Sequence, residues 1–271
     1  MKQKIKEIAR VFLKHIFGER FFARSRASYW AKKIKRHDAY EDEMELLPLL
    51  VPEGSVCIDV GVNFGQYTYP LSQCVGKYGK VFGFEPIPYT CDIARSVLRK
   101  LRVHTVELYQ LGLSDKAGNI EFIIPVIEHQ SKIPNVAEAH IKTDSDNQGI
   151  ALRTEVTTLD SFARTHAEIH KAVFIKCDTE GVELFVFRGG RVLLQNIRPI
   201  ILCEIQKEHT ARYGYEPSDL VHFLKEIGYE LYTYEHKKLK KVQEVLEHPI
   251  NYFFVHHTRR QELVARGIMR G

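Results

Sequence analysis

The sequence predicts an α/β fold built on a mostly parallel sheet with helices on both faces. Three observations carry this. The runs Val56–Val60, Ala172–Cys177 and Pro199–Gln206 are short, apolar, rich in β-branched residues and without alternation, as parallel strands covered on both sides require. The first two end at an acid, pass through a glycine-bearing turn and continue into a helix-period segment. The chain has 271 residues with 44% hydrophobic content, ample for one large domain with a small appendage.

Residues 1–50 read as a basic helical extension. Ile5, Ile8, Phe12 and Ile16 fall at helical spacing among lysines and arginines. Residues 1–36 hold twelve Lys/Arg against two Glu, so the overall charge of +5 conceals +10 here and −5 elsewhere. No apolar run reaches the length of a membrane span or a signal-peptide core. Packing is the favoured role, on its own domain or equally on a second copy, giving a homo-oligomer. An anionic membrane surface touched by residues 1–36 is the alternative. No base-stacking motif accompanies the charge, so no nucleic-acid partner is expected.

Residues 23–54 bridge to the sheet, with a helix over 38–50 and a turn at Pro52-Glu53-Gly54. The main domain is expected over 51–257. Its first crossover helix runs over 66–75 and closes at Gly76–Gly79. Lys80–Glu85 forms the second strand, and Pro86 and Pro88 open the next helix. Val106–Gln110 is the third strand. Asn119–Val126 and Arg153–Leu159 alternate well enough to pair as an antiparallel β insertion beside the main sheet. The polar connection between them, 128–150, is long for a compact domain and reads as a lid. A single helix is expected over 184–196, and another over 217–227. Tyr229–Glu235 and Tyr252–His256 should form an edge hairpin. Residues 258–271 read as a basic tail. Five scattered cysteines without a C-x-x-C pair fit a reducing, cytoplasmic setting, with Cys57, Cys177 and Cys203 in the core.

The candidate site follows from the strand tips. Asp59 ends the first strand, and Gly61 and Gly65 let backbone approach a ligand closely. Four-residue glycine spacing does not match the G-x-G-x-x-G of dinucleotide binding. Glu85 ends the second strand 26 residues later, where an acid accepts hydrogen bonds from ribose hydroxyls. The Ser114-Asp115 loop is placed to meet an adenine edge. Asp178, Glu180 and Glu183 crowd the third turn beside Lys176, and like charges so close mark a functional site. His129, His140, Glu204 and His209 are further substrate-side candidates. No compact metal-ligand motif is present, so no metal is predicted.

The pattern D-x-G-x-N-x-G over 59–65 resembles the first motif of S-adenosylmethionine-dependent methyltransferases. IDVGVNFGQYT, FEPIP, the Ser114-Asp115 loop, VTTLDSF and IKCDTEGVE followed by PIILCEI together resemble the FkbM-type family over residues 50–206. The family's K-I-D-V-E-G appears here as Lys176-Cys177-Asp178-Thr179-Glu180-Gly181. The resemblance implies a Rossmann-like class I fold of seven strands, the last antiparallel. It implies S-adenosyl-L-methionine as cofactor and O-methylation of a sugar, glycan or natural-product hydroxyl. It places Asp59, Gly61, Asn63, Gly65, Tyr67, Thr68, Glu85, Pro86, Ser114 and Asp115 around the cofactor. Asp178 is the first candidate for general base, with Glu180 orienting it or acting itself. The alternative is a protein that keeps the cofactor without catalysis and docks by its basic N-terminus to a membrane or an assembly. Peripheral membrane attachment is compatible with either.

Overall fold

A computed structural model describes residues 23–127, 133–134, 139–143 and 149–269. Helix α1 spans 23–35, a 3₁₀ turn follows at Asp42–Leu46, and the one-turn α2 is Leu47–Leu50. The core then alternates: β1 (Val56–Val60), α3 (Thr68–Val75), β2 (Lys80–Phe84), α4 (Pro88–Lys100) and β3 (Val106–Tyr109). A second sheet takes β4 (Gly112–Leu113), β5 (Gly118–Ile124), β8 (His140–Ile141) and β9 (Ile150–Thr157), with β6 (Val126–Ile127) and β7 (Ile133–Pro134) paired separately. The main sheet resumes through α5 (Leu159–Thr165), β10 (Ala172–Cys177), α6 (Glu183–Arg188), α7 (Arg191–Ile197) and β11 (Ile200–Glu204). It closes with α8 (Lys207–Ala211), α9 (Pro217–Glu226), β12 (Tyr229–Glu235), β13 (Lys238–Lys241), β14 (Asn251–His256) and α10 (Arg260–Ala265).

The main sheet has the order β13-β12-β14-β11-β10-β1-β2-β3, parallel from β3 through β11, with β14 antiparallel to both its neighbours. The strand order reverses at β1, between β2 and β10, which is where such sheets bind ligands. β1 is buried throughout because both faces are covered. Val56, Ile58 and Val60 join the core under α5, α6, α7 and α9, while Cys57 joins the core with Leu47, Leu71 and Leu263. Cys57, Cys177 and Cys203 are fully buried, as expected.

The structure departs from the sequence expectations in four places. The sheet has eight strands, because β13 extends the edge; only Leu239 of its KLKK faces the core, so the segment reads as a polar turn. β14 enters between β11 and β12, and the edge hairpin is β12–β13. The helix expected over 184–196 breaks at Gly189-Gly190, since a Cβ on Gly189 would meet the Ser114 carbonyl oxygen at 2.1 Å. The bridge contains α1, whose Ala27, Ala31 and Ile34 are buried in a third core with α4 residues Ile93 and Val97 and second-sheet residues Phe122 and Val156. The insertion is as expected: β5 and β9 pair antiparallel in a separate sheet. Past α10, Ile268 and Met269 are buried, and Met269 bridges to Leu239. The helix expected over 1–22 and His129 lie outside the described residues. Among the described residues, no helix is long and apolar enough to cross a membrane.

Candidate active site

Three turns meet at the carboxyl edge of the sheet. They follow β1, β2 and β10, and their backbones are in contact. Asp178 N–H donates to the Val60 carbonyl at 3.0 Å, and Gly61 N–H donates to the Phe84 carbonyl at 3.0 Å. Gly61 has φ +84, and a Cβ there would lie 1.7 Å from the Asp178 carbonyl oxygen. The glycine is required because the β1 and β10 turns touch backbone to backbone.

Asp59 follows Cys57 onto the α3 side of β1. Its Oδ2 accepts from Thr68 Oγ1 at 2.5 Å, and its residue is only 1% exposed. Burial pushes its carboxyl up to about 6, against the pull of Thr68 and Lys176. Glu85 ends β2 in the cleft. Its Oε2 accepts from Asn63 N–H at 2.9 Å and its Oε1 from Ile87 N–H at 3.0 Å. Burial still lifts it to about 7. Both oxygens retain acceptor capacity after these bonds, since a carboxylate offers about four lone-pair sites.

Among the described residues, the buried side-chain atoms without a hydrogen-bond partner include Asp59 Oδ1 and Asn63 Oδ1. Buried polar atoms are almost always paired. Of these two residues, Asn63 belongs to the cleft lining and Asp59 lies behind it. Gly61, Asn63, Glu85 and Pro86, from the turns after β1 and β2, and Asp178, Thr179 and Glu180, from the turn after β10, line one cleft. Val60, Phe84, Ile87 and Phe122 supply its apolar wall. Sequence reasoning missed these apolar residues. Phe122 enters from the second sheet, where only the alternation of β5 hinted at a buried side.

The Asp178 turn is braced from within. Glu183 is 2% exposed, and its Oε1 accepts from Thr179 N–H at 2.8 Å, Thr179 Oγ1 at 2.8 Å and Gly181 N–H at 3.2 Å. It is thereby committed to the turn rather than to a substrate. Glu180 sits in left-handed backbone at φ 59, and its Oε2 lies 3.4 Å from His209 Nδ1. Gly181 makes this approach possible: a Cβ there would meet the His209 carbonyl oxygen at 2.5 Å. Tyr215 OH holds the Gly181 carbonyl at 2.8 Å from the other side. The turn thus joins Asp178, Glu180 and His209, which lie 31 positions apart in the sequence at the widest.

Lys176, opposite Asp59 in the β1–β10 register, is 1% exposed. Its Nζ donates to Asn251 Oδ1 at 3.2 Å, lies 3.8 Å from Asp178 Oδ2 and stands 4.6 Å over the Tyr67 ring. Although burial disfavours its charge, the surrounding carboxylates, Asp178 first, hold its ammonium above the ordinary range. Glu204 is pushed up to about 7 by burial and by Asp178, and its Oε1 accepts from Gln206 Nε2 at 2.5 Å.

Several expected site residues lie elsewhere. Tyr67 turns its hydroxyl to Glu41 Oε2 at 2.6 Å and Glu43 Oε1 at 2.9 Å, so it fastens the N-terminal 3₁₀ turn. Thr68 stands behind the cleft, on Asp59. Gly65, at φ +92, shapes the turn away from the wall. The chain after β3 meets the cleft at Leu111–Leu113; Ser114 N–H is bonded to the Thr157 carbonyl and Asp115 lies beyond. His140 is buried on β8, next to Ala139, which does line the cleft. A larger groove of about 1060 Å³ opens beside Gln206, Lys207 and the start of α9. None of Asp59, Glu85, Asp178 or Glu180 walls it, so volume alone does not locate the chemistry.

Residues 59–231 match the methyltransferase FkbM domain family. Over 212 residues the chain is 27% identical to the hexuronic acid methyltransferase AglP of Haloferax volcanii, covering 78% of this chain and 77% of that protein. Among solved structures, the methyltransferase FkbM of Methylobacillus flagellatus KT is similar at 15% identity and a TM-score of 0.46, covering 74% of this chain and 43% of that one. This chain thus spans less than half the length of that protein. A SAM-dependent methyltransferase of Aquifex aeolicus is similar at 17% identity and a TM-score of 0.45, covering 83% of this chain and 96% of that one.

Proposed function

The chain belongs to the FkbM methyltransferase family and uses S-adenosyl-L-methionine; from that premise we propose that it O-methylates a hydroxyl of a sugar or glycan. The observation that carries the proposal is that one cleft gathers two sets of polar groups. The turns after β1 and β2 bring Glu85 and the unpaired Asn63 Oδ1, with Asp59 behind them, suited to a donor-rich nucleoside and amino-acid ligand. The turn after β10 brings Asp178 and Glu180, suited to an acceptor.

Bound there, the cofactor would supply an electrophilic methyl group on a positively charged sulfur. Glu85 is suited to accept from the ribose hydroxyls. Asn63 Oδ1 and Asp59 suit the amino-acid end and the positive charge. Asp178 is the general base for the acceptor hydroxyl, held in place by Lys176 at 3.8 Å and by its own backbone bond to Val60. Glu180 orients the acceptor, with His209 beside it. Positioning in a water-poor cleft supplies much of the rate, and the base contributes roughly 10²–10⁴.

A sugar acceptor is supported by the similar protein's name, a hexuronic acid methyltransferase. Such a sugar carries both hydroxyls and a carboxylate. Asp178 and Glu180, with Glu204 behind, accept hydrogen bonds from hydroxyls and repel a second carboxylate. Hydroxyl transfer is therefore favoured over ester formation. Methyl-labelled cofactor incubated with the full chain and uronic-acid oligosaccharides tests this. Label that survives mild alkali, as a methyl ether does, is the expected result. Alkali-labile label would move the transfer to the carboxylate, and no label would remove this acceptor class.

A further inference from the structure

The helix that carries a strongly basic face joins a core that shares two residues with the cleft lining. Helix α1 buries Ala27, Ala31 and Ile34 against Phe64, Ile87 and Phe122, and the last two also line the cleft. Trp30 stacks on Phe64 with ring centroids 4.9 Å apart. Arg26 lies 4.8 Å over the Phe64 ring and so fastens the helix, while Lys33 lies 4.8 Å over the Trp30 ring of the same helix. Arg24, Lys32, Lys35 and Arg36 are exposed on the remaining surface, and Tyr29 beside them is 61% exposed. Residues 23–37 contain no Asp or Glu, so the helix brings no negative charge of its own to the face.

We propose that this face docks the protein on an anionic lipid bilayer, with the mouth of the cleft turned toward the membrane. Charge is the first argument. The segment 1–36 carries +10 while the rest of the chain carries −5, a segregation that orients the molecule on a negative surface. Tyr29 is the second: an amphipathic ring among lysines and arginines suits the headgroup layer. Nucleic acid is disfavoured, because among the described residues of α1 Tyr29 is the one exposed large aromatic, which makes no run of stacking platforms. The docking does not depend on which acceptor oxygen is methylated.

Co-sedimentation of the full chain with phosphatidylcholine vesicles, with and without phosphatidylglycerol, tests the proposal. Wild type should pellet with the anionic vesicles, remain in solution with phosphatidylcholine alone, and be released by added salt. The combined variant R24Q/K32Q/K35Q/R36Q should lose nearly three orders of magnitude in partition, since each basic residue near the surface contributes roughly fivefold. Its melting temperature and its affinity for S-adenosylhomocysteine should match wild type, which separates lost docking from misfolding. Absence of anionic-vesicle binding overturns the proposal, as does equal binding to neutral vesicles. So does wild-type partition by the variant, which would assign docking to residues 1–22 alone. Tighter binding to RNA or DNA than to vesicles would also overturn it.

Discussion

At Glu85, burial and hydrogen bonding pull in opposite directions. Two backbone N–H groups favour the carboxylate, yet burial wins and holds the group near 7, above its ordinary 4.5. Asp59 behaves alike, near 6 instead of 3.8. Both acids bind their proton more tightly folded than unfolded. Their contribution to stability is therefore complete below about pH 4 and is lost as pH rises through about 6 to 7. Thermal melts of the ligand-free chain should show this fall, and the double variant D59N/E85Q should flatten it; an unchanged slope would contradict the buried assignment. A ligand that donates hydrogen bonds to these groups prefers them ionised, so affinity for the demethylated product should weaken in acid. In the turn after β10, Asp178→Asn should cut turnover by about 10²–10⁴ while product affinity stays at the wild-type value. Equal loss of both would make Asp178 a cofactor residue.

The turns after β1 and β10 act as one element. Gly61 and Gly181 each exist because another backbone passes where a Cβ would sit, at Asp178 and at His209. Gly61→Ala should destabilise by ~3 kcal/mol and weaken product binding with it, a joint loss readable by denaturant unfolding and calorimetry. A stable Gly61→Ala with full affinity would show that the two turns need not touch. These elements were legible in the sequence because their signals are local: an apolar run, an acid at its end, a glycine, a helix. Glu85, Asp178 and Glu180, which the fold brings to one cleft, were singled out in that way. Tyr67 was misplaced because Glu41 and Glu43, which take its hydroxyl, lie 26 and 24 residues earlier. α1 was overlooked although Ala27, Ala31 and Ile34 carry helical spacing, since small residues give a weak periodic signal. β13 was read as a turn because its single inward residue, Leu239, leaves no pattern to see.

In the whole molecule, the cleft lies where the main sheet, the second sheet and α1 meet. Ile87 and Phe122 belong both to its wall and to the core that α1 covers, so the basic surface and the reaction site share a rigid support. That joint use predicts that removing Trp30 disturbs more than the helix. Trp30→Ala should lower the melting temperature and product affinity together, by the loss of the half-buried stack on Phe64; a change in neither would detach α1 from the site. No part of this arrangement was visible from spacing alone, because it depends on three segments distant in sequence. All of it presupposes that the carboxylates ending β1 and β2 hold the cofactor. Calorimetric titration of S-adenosylhomocysteine into wild type, D59N and E85Q is the most direct test. The predicted result is a loss of roughly 10- to 100-fold in affinity for each variant, the worth of a charge-assisted hydrogen bond. Wild-type affinity in both variants, with the fold intact, would contradict it.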